Sequence, residues 1–250
     1  MSECPGHFGH IELARPIFHP GFMKTVKKIL ETVCTNCGKL KVDNRDRNLF
    51  STLNRLQPKY RLKYVHEAAK GVMVCEEDEG PDEQGNLPPP GHGGCGHRQP
   101  LIRREGTKMF AVYKKQEEDA ADAKGRKDNA PSVADKRNLS AQECHNILKK
   151  MSAADMEVLG LSDEFARPDW MVLTVLPVPP APVRPSVVSP GKASAQDDLT
   201  YKLAEIIKAN ASLQKAEQEG SPAYIINQFI ELLQVSPVAH PCRPHERCCS

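Results

Sequence analysis

Four cysteines carry the chemistry open to this sequence: Cys34 and Cys37 in a Cys-x-x-Cys turn, Cys75, and Cys95 within Gly93-Gly94-Cys95-Gly96. A turn bearing two thiolates supplies half of a tetrahedral shell. Two more thiolates from separate segments close it, which is the donor set of a structural Zn²⁺. On this reading the metal ties together residues 30–100. The alternative is a redox Cys-x-x-Cys pair or free thiols. A redox pair belongs at the start of a helix that follows a strand, whereas here the apolar periodicity puts a helix before the pair.

Further candidate ligands lie at both ends. Cys4 and His7, in Cys4-Pro-Gly-His-Phe-Gly-His10, have the spacing of a metal-binding turn but make only half a site. Either partners lie upstream, or the two are a buried thiol and a surface imidazole. Cys242, His245, Cys248 and Cys249 sit in a tail without apolar period, where metal binding would have to repay the whole ordering cost. Cys144 shares an apolar stripe with Ile147, Leu148 and Met151 and reads as a small core residue.

The elements that must position these ligands follow from periodicity. An amphipathic helix from Pro20 (Phe22, Met23, Val26, Ile29, Leu30, Val33) runs into the Cys34 turn, and a basic helical stretch over 48–72, broken at Pro58, returns the chain toward Cys75. The acidic, Pro/Gly-rich segment between Cys75 and Cys95 reads as an exposed loop. Strands are expected over 101–113 around Gly106. Residues 114–138 read as a disordered charged insertion. A capping box at Ser140–Glu143 opens one helix, and a second short helix follows Ser152. Trp170 leads an expected buried strand that ends in a proline-stiffened arm to Ser186. Two closing helices follow, one capped by Asp197 or Asp198 and one opened at Ser221-Pro222, joined around Gly220 and packed antiparallel.

Composition agrees with a metal-ordered rather than a richly cored chain: 250 residues, 39% hydrophobic, 5% aromatic and 21 prolines. Nine cysteines, no leader pattern and no apolar run near the roughly 18 residues of a membrane helix point to a reducing compartment. The net charge of +2 hides segregation, with bases dominating 1–75, acids alone in 76–88, and Arg98, Arg103, Arg104, Lys108, Lys114 and Lys115 against Glu105 in 98–115. Such stretches either follow phosphates or form a solvated face.

Cys4 to His10, Cys34-Thr-Asn-Cys-Gly-Lys-Leu40, Gly94-Cys95-Gly96, Arg167 to Ser186 and Asp197 to Asn210 together resemble the N-terminal clamp region of the largest subunit of eukaryotic RNA polymerase II, over residues 1 to about 234. The resemblance implies an α+β fold, mainly helical, with a zinc-stabilised clamp head and core, short strands, a Pro-rich arm and long irregular loops. It implies a clamp head over 1–113, the insertion at 114–138, a clamp core over 139–234 and an unrelated disordered tail over 235–250. One zinc maps onto Cys34, Cys37, Cys75 and Cys95. A second would use Cys4 and His7 with a Cys-x-x-Cys that the family carries upstream, so Met1 reads as an internal methionine. Past Gln234 the family helix continues, whereas this chain turns to Val235-Ser236, a pair whose codons can spell a 5′ splice site, as a retained intron would. The family's Mg²⁺-binding loop, Asn-Ala-Asp-Phe-Asp-Gly-Asp, does not occur here. Implied partners are the other polymerase II subunits, above all the second-largest, with DNA and the DNA–RNA hybrid, in the nucleus and without a membrane. The alternative is a stand-alone zinc-dependent module that binds nucleic acid or protein.

Overall fold

The computed structural model describes residues 5–42, 47–77, 93–113, 135–186 and 195–238. The chain divides into two compact units, Phe22–Met171 and a discontinuous one made of Met1–Gly21 with Val172–Ser250. The architecture is α+β, with seven α-helices and two small antiparallel sheets among the described residues.

In the continuous unit, helix α1 (Met23–Thr32) buries Met23, Val26, Ile29 and Leu30, the one-sided spacing that drives an amphipathic helix onto a core. The basic stretch forms two helices, α2 (Arg47–Arg55) and α3 (Pro58–Ala69), because Pro58 has no N–H to give and is tolerated only in a first turn. Strands β2 (Leu101–Glu105) and β3 (Lys108–Tyr113) form the expected hairpin about Gly106, and β4 (Asp135–Leu139) adds a third strand to β3. Most of β4 lies inside the segment expected to be a disordered insertion. That expectation is corrected for 135–138; residues 114–134 lie outside those described. Ser140 caps α4 (Ala141–Lys149), its Oγ accepting from Glu143 N at 3.1 Å while Glu143 Oε2 accepts from Ser140 N at 3.3 Å. Helix α5 (Ala153–Val158) is capped by Ser152. Helix α1 packs on α3, β2 and α4, and Cys144 is fully buried.

In the discontinuous unit, β1 (Gly9–Phe18) pairs antiparallel with β5 (Val172–Val178), with a bulge in β1 between Glu12 and Ile17 that accommodates Pro16. Helices α6 (Asp198–Gln218), capped by Asp197, and α7 (Ala223–Val238) pack on each other and on β1 around Ile17, Ile206, Leu213 and Leu233. Two helix carboxamides finish the strand. Asn210 accepts from Ala14 N at 2.8 Å and donates to Glu12 O at 2.9 Å, and Gln234 accepts from Phe18 N at 2.7 Å and donates to Phe18 O at 2.8 Å. They take the place of ladder partners that the bulge and the strand end would otherwise lack.

Two expectations change here, and one strand is new. Strand β1 was not visible in the periodicity. Trp170 does not lead a buried strand, since it sits 55% exposed in a 3₁₀ turn before β5, itself half-exposed over most of its length. Helix α7 runs on to Val238, into the stretch assigned to a disordered tail. The proline-rich arm has a 3₁₀ turn at Ala181–Val183, with Arg184 donating to Pro179 O at 3.0 Å and Thr200 Oγ1 at 3.2 Å. Among the described residues no helix is long and apolar enough to cross a membrane.

Candidate metal centre

Two short backbone hairpins build the cysteine site. In the first, Cys34 N donates to Lys39 O at 2.8 Å, Gly38 N to Cys34 O at 3.0 Å and Lys41 N to Thr32 O at 2.9 Å, so the chain leaving α1 reverses on itself and presents Cys34 and Cys37 at the turn. Gly38 closes the turn with φ +81°; a Cβ there would stand 2.5 Å from Lys150 Cβ, so the turn lies directly on the end of α4. Lys150 Nζ also donates to Asn36 O at 2.9 Å. In the second hairpin the segments around Cys75 and Cys95 pair, with Cys75 N donating to His97 O at 3.0 Å, Gly96 N to Cys75 O at 2.7 Å and Gln99 N to Met73 O at 2.7 Å.

The four sulfurs all lie within 4.8 Å of one another, with Cys34 and Cys95 at 3.6 Å and Cys37 and Cys75 at 3.8 Å. A tetrahedron with Zn–S bonds of about 2.3 Å has sulfur–sulfur edges of about 3.8 Å, so the spacing suits a tetrathiolate metal. Disulfides do not form at these separations, because a bond needs about 2.05 Å. All four are free thiols. The donor set therefore fits Zn²⁺.

Backbone N–H groups already point at the sulfurs. Asn36 N donates to Cys34 Sγ at 3.4 Å, and the amides of Lys39 and His97 serve Cys37 and Cys95. The thiols are unequal. Burial raises Cys37 and Cys75, the latter strongly. For Cys95 burial acts upward too, but hydrogen bonds from His97 N, the Asn36 amide and the neighbouring thiols outweigh it and bring it down to about 7. Lys41 is buried beside the site. Its ammonium is pulled below its ordinary range by that burial, against the opposing pull of Glu31, Cys34 and Cys75.

Of the other candidates, His7 is exposed beside Gly6, which abuts Pro180, and Cys4 lies outside the described residues, as do Cys242, His245, Cys248 and Cys249. Arg98, Arg103 and Arg104 are all exposed. As strand neighbours, Arg103 and Arg104 face opposite sides of the sheet. Arg103 opposes Phe110, over whose ring Lys136 Nζ sits at 4.1 Å, whereas Arg104 opposes the buried Met109. They are not one patch. Sequence reasoning missed Gln99 altogether. It is 3% exposed and bonded to Cys34 Sγ at 3.0 Å, a contact that no spacing in the chain announces.

Compared with known protein families, residues 1–239 match the family described as RNA polymerase Rpb1, domain 1. The chain belongs to this family. It is accordingly part of the largest subunit of a DNA-directed RNA polymerase, working in transcription, and membership implies assembly with other polymerase subunits and DNA.

Proposed function

We propose that the chain is the N-terminal clamp portion of the largest subunit of eukaryotic RNA polymerase II, acting in the nucleus. It closes over the cleft and holds DNA and the DNA–RNA hybrid while other subunits, the second-largest above all, complete the enzyme. The family match over residues 1–239 carries the reading. The finer assignment rests on the sequence from Arg167 to Ser186, which resembles the polymerase II subunit more than its polymerase I or III relatives. Cys34, Cys37, Cys75 and Cys95 hold one Zn²⁺, which locks the hairpins of residues 30–100 into a rigid body. Cys4 and His7 contribute half of a second shell. The division into a clamp head over 1–113 and a clamp core over 139–234 belongs to the same proposal. Catalytic Mg²⁺ belongs to the family's aspartate loop, whose motif these 250 residues do not contain, so the fragment positions nucleic acid rather than joining nucleotides.

Arg98 and one of Arg103 and Arg104, which face opposite sides of the sheet, supply phosphate contacts without base readout. Titrating a labelled duplex and a DNA–RNA hybrid with the purified chain at low and moderate salt tests this. Binding that weakens steeply with salt, without sequence preference and without nucleotide incorporation, is the expected result. Binding indifferent to salt, or template-directed incorporation by the chain alone, overturns it.

A further inference from the structure

We infer that Gln99 is a positioning residue of the metal centre, its carboxamide orienting Cys34 Sγ and fixing the Cys34 turn to the Cys95 strand. The inference rests on the zinc reading above.

All four hydrogen-bonding positions of this buried amide are in use. Its Oε1 accepts from Thr35 N at 2.9 Å and Thr35 Oγ1 at 3.3 Å, and its Nε2 donates to His97 O at 2.8 Å and Cys34 Sγ at 3.0 Å. A carboxamide has two acceptor sites and two donor hydrogens, and none is left over. These partners also fix which end is which. Turning the amide over would set its NH₂ against the N–H of Thr35 and its oxygen against the carbonyl of His97, two repulsive contacts in place of two bonds. One N–H is therefore aimed permanently at Cys34 Sγ.

Two consequences follow from that fixed donor. The N–H that meets Cys34 Sγ at 3.0 Å fixes the orientation of that sulfur as a ligand, as hydrogen-bonding groups behind a metal ligand do. The bonds to Thr35 and His97 also join the turn carrying Cys34 to the strand carrying Cys95, whose sulfurs stand 3.6 Å apart. Cys95 receives a side-chain amide too, from Asn36 at 3.6 Å, but that contact is longer and solvent-exposed. Groups that orient metal ligands in this way commonly contribute about 10–100-fold in metal affinity.

The test compares the full chain with Gln99→Glu and Gln99→Leu, using Co²⁺ and Zn²⁺ as probes. Gln99→Glu keeps an acceptor for Thr35 and the side-chain shape while losing both donors; Gln99→Leu loses everything. Zinc affinity is read by competition with a chromophoric chelator, and the Co²⁺ form gives the sulfur-to-metal charge-transfer band. Both variants are expected to bind zinc about 10–100-fold more weakly and to shift the band to lower energy, because a thiolate without its donor holds its electrons less tightly. Should Gln99→Leu fail to fold, as judged by circular dichroism with metal present, the isosteric Gln99→Glu decides alone. A Gln99→Glu variant with wild-type affinity and an unmoved band overturns the inference, leaving Gln99 a packing residue only. Wild-type protein that binds neither Co²⁺ nor Zn²⁺ overturns the zinc reading itself and the inference with it.

Discussion

Cys95 differs enough in environment from Cys37 and Cys75 to be told apart from them. Cys95 is held at about 7, below the ordinary thiol range, so in metal-free protein its thiolate predominates above pH 7. Burial keeps Cys37 and Cys75 protonated to higher pH. Brief alkylation of chelator-treated protein at pH 6 and pH 8, mapped by mass spectrometry, should label Cys95 first and faster at the higher pH. Labelling led by Cys75 would contradict this ordering. Gly38→Ala should loosen the site from the backbone side, since a left-handed φ costs an ordinary residue about 1–2 kcal/mol and the added Cβ meets Lys150. A lower melting temperature with faster zinc release would bear this out; unchanged melting would not. At this scale the ligands were legible, because a Cys-x-x-Cys spacing is a local signal. Gln99, Asn36 and Lys41 were not, because their roles arise only once separate hairpins meet.

Elements were legible where a periodic stripe or a cap announced them, as in α1, α4 and α6. The missed strands had no such signal. In β1, Pro16 interrupts the alternation and the partner β5 lies far along the chain, while β4 is a charged segment that becomes a strand because the edge of β3 offers it a ladder. The β1 bulge leans on Asn210, and this can be tested by what each substitution removes. Asn210→Leu strands the part-buried Ala14 N–H and Glu12 carbonyl and should cost about 1–3 kcal/mol in chemical denaturation, below the full penalty for two buried unsatisfied groups because water reaches both. Asn210→Asp keeps the acceptor and should cost less. Equal losses would show that the amide only fills space. Ser140→Ala, which removes one half of the capping box, should cost about 1 kcal/mol.

For the whole molecule, the clamp proposal needs a surface that tracks phosphates, and the sheet geometry constrains how its arginines contribute. Removing one phosphate-binding side chain should flatten the log–log salt dependence by about 0.9 on duplex DNA. Because Arg103 and Arg104 face opposite sides of the sheet, changing both to Ala should weaken binding no more than the stronger single change. Additive losses would place both on the nucleic acid and contradict the two-sided arrangement. The family itself was legible from long specific segments such as Trp170 to Ser186. The division of the chain into units was not, since it depends on β1 and β5 pairing across the sequence.

The claim on which the rest depends is that four thiolates hold one zinc. Metal analysis of protein purified without added metal, paired with zinc X-ray absorption, tests it most directly. One zinc per chain with four sulfurs at about 2.3 Å is expected, falling to none in Cys37→Ser. Protein free of zinc with its thiols joined in disulfides, or an ion bound through nitrogen and oxygen instead of sulfur, would contradict it.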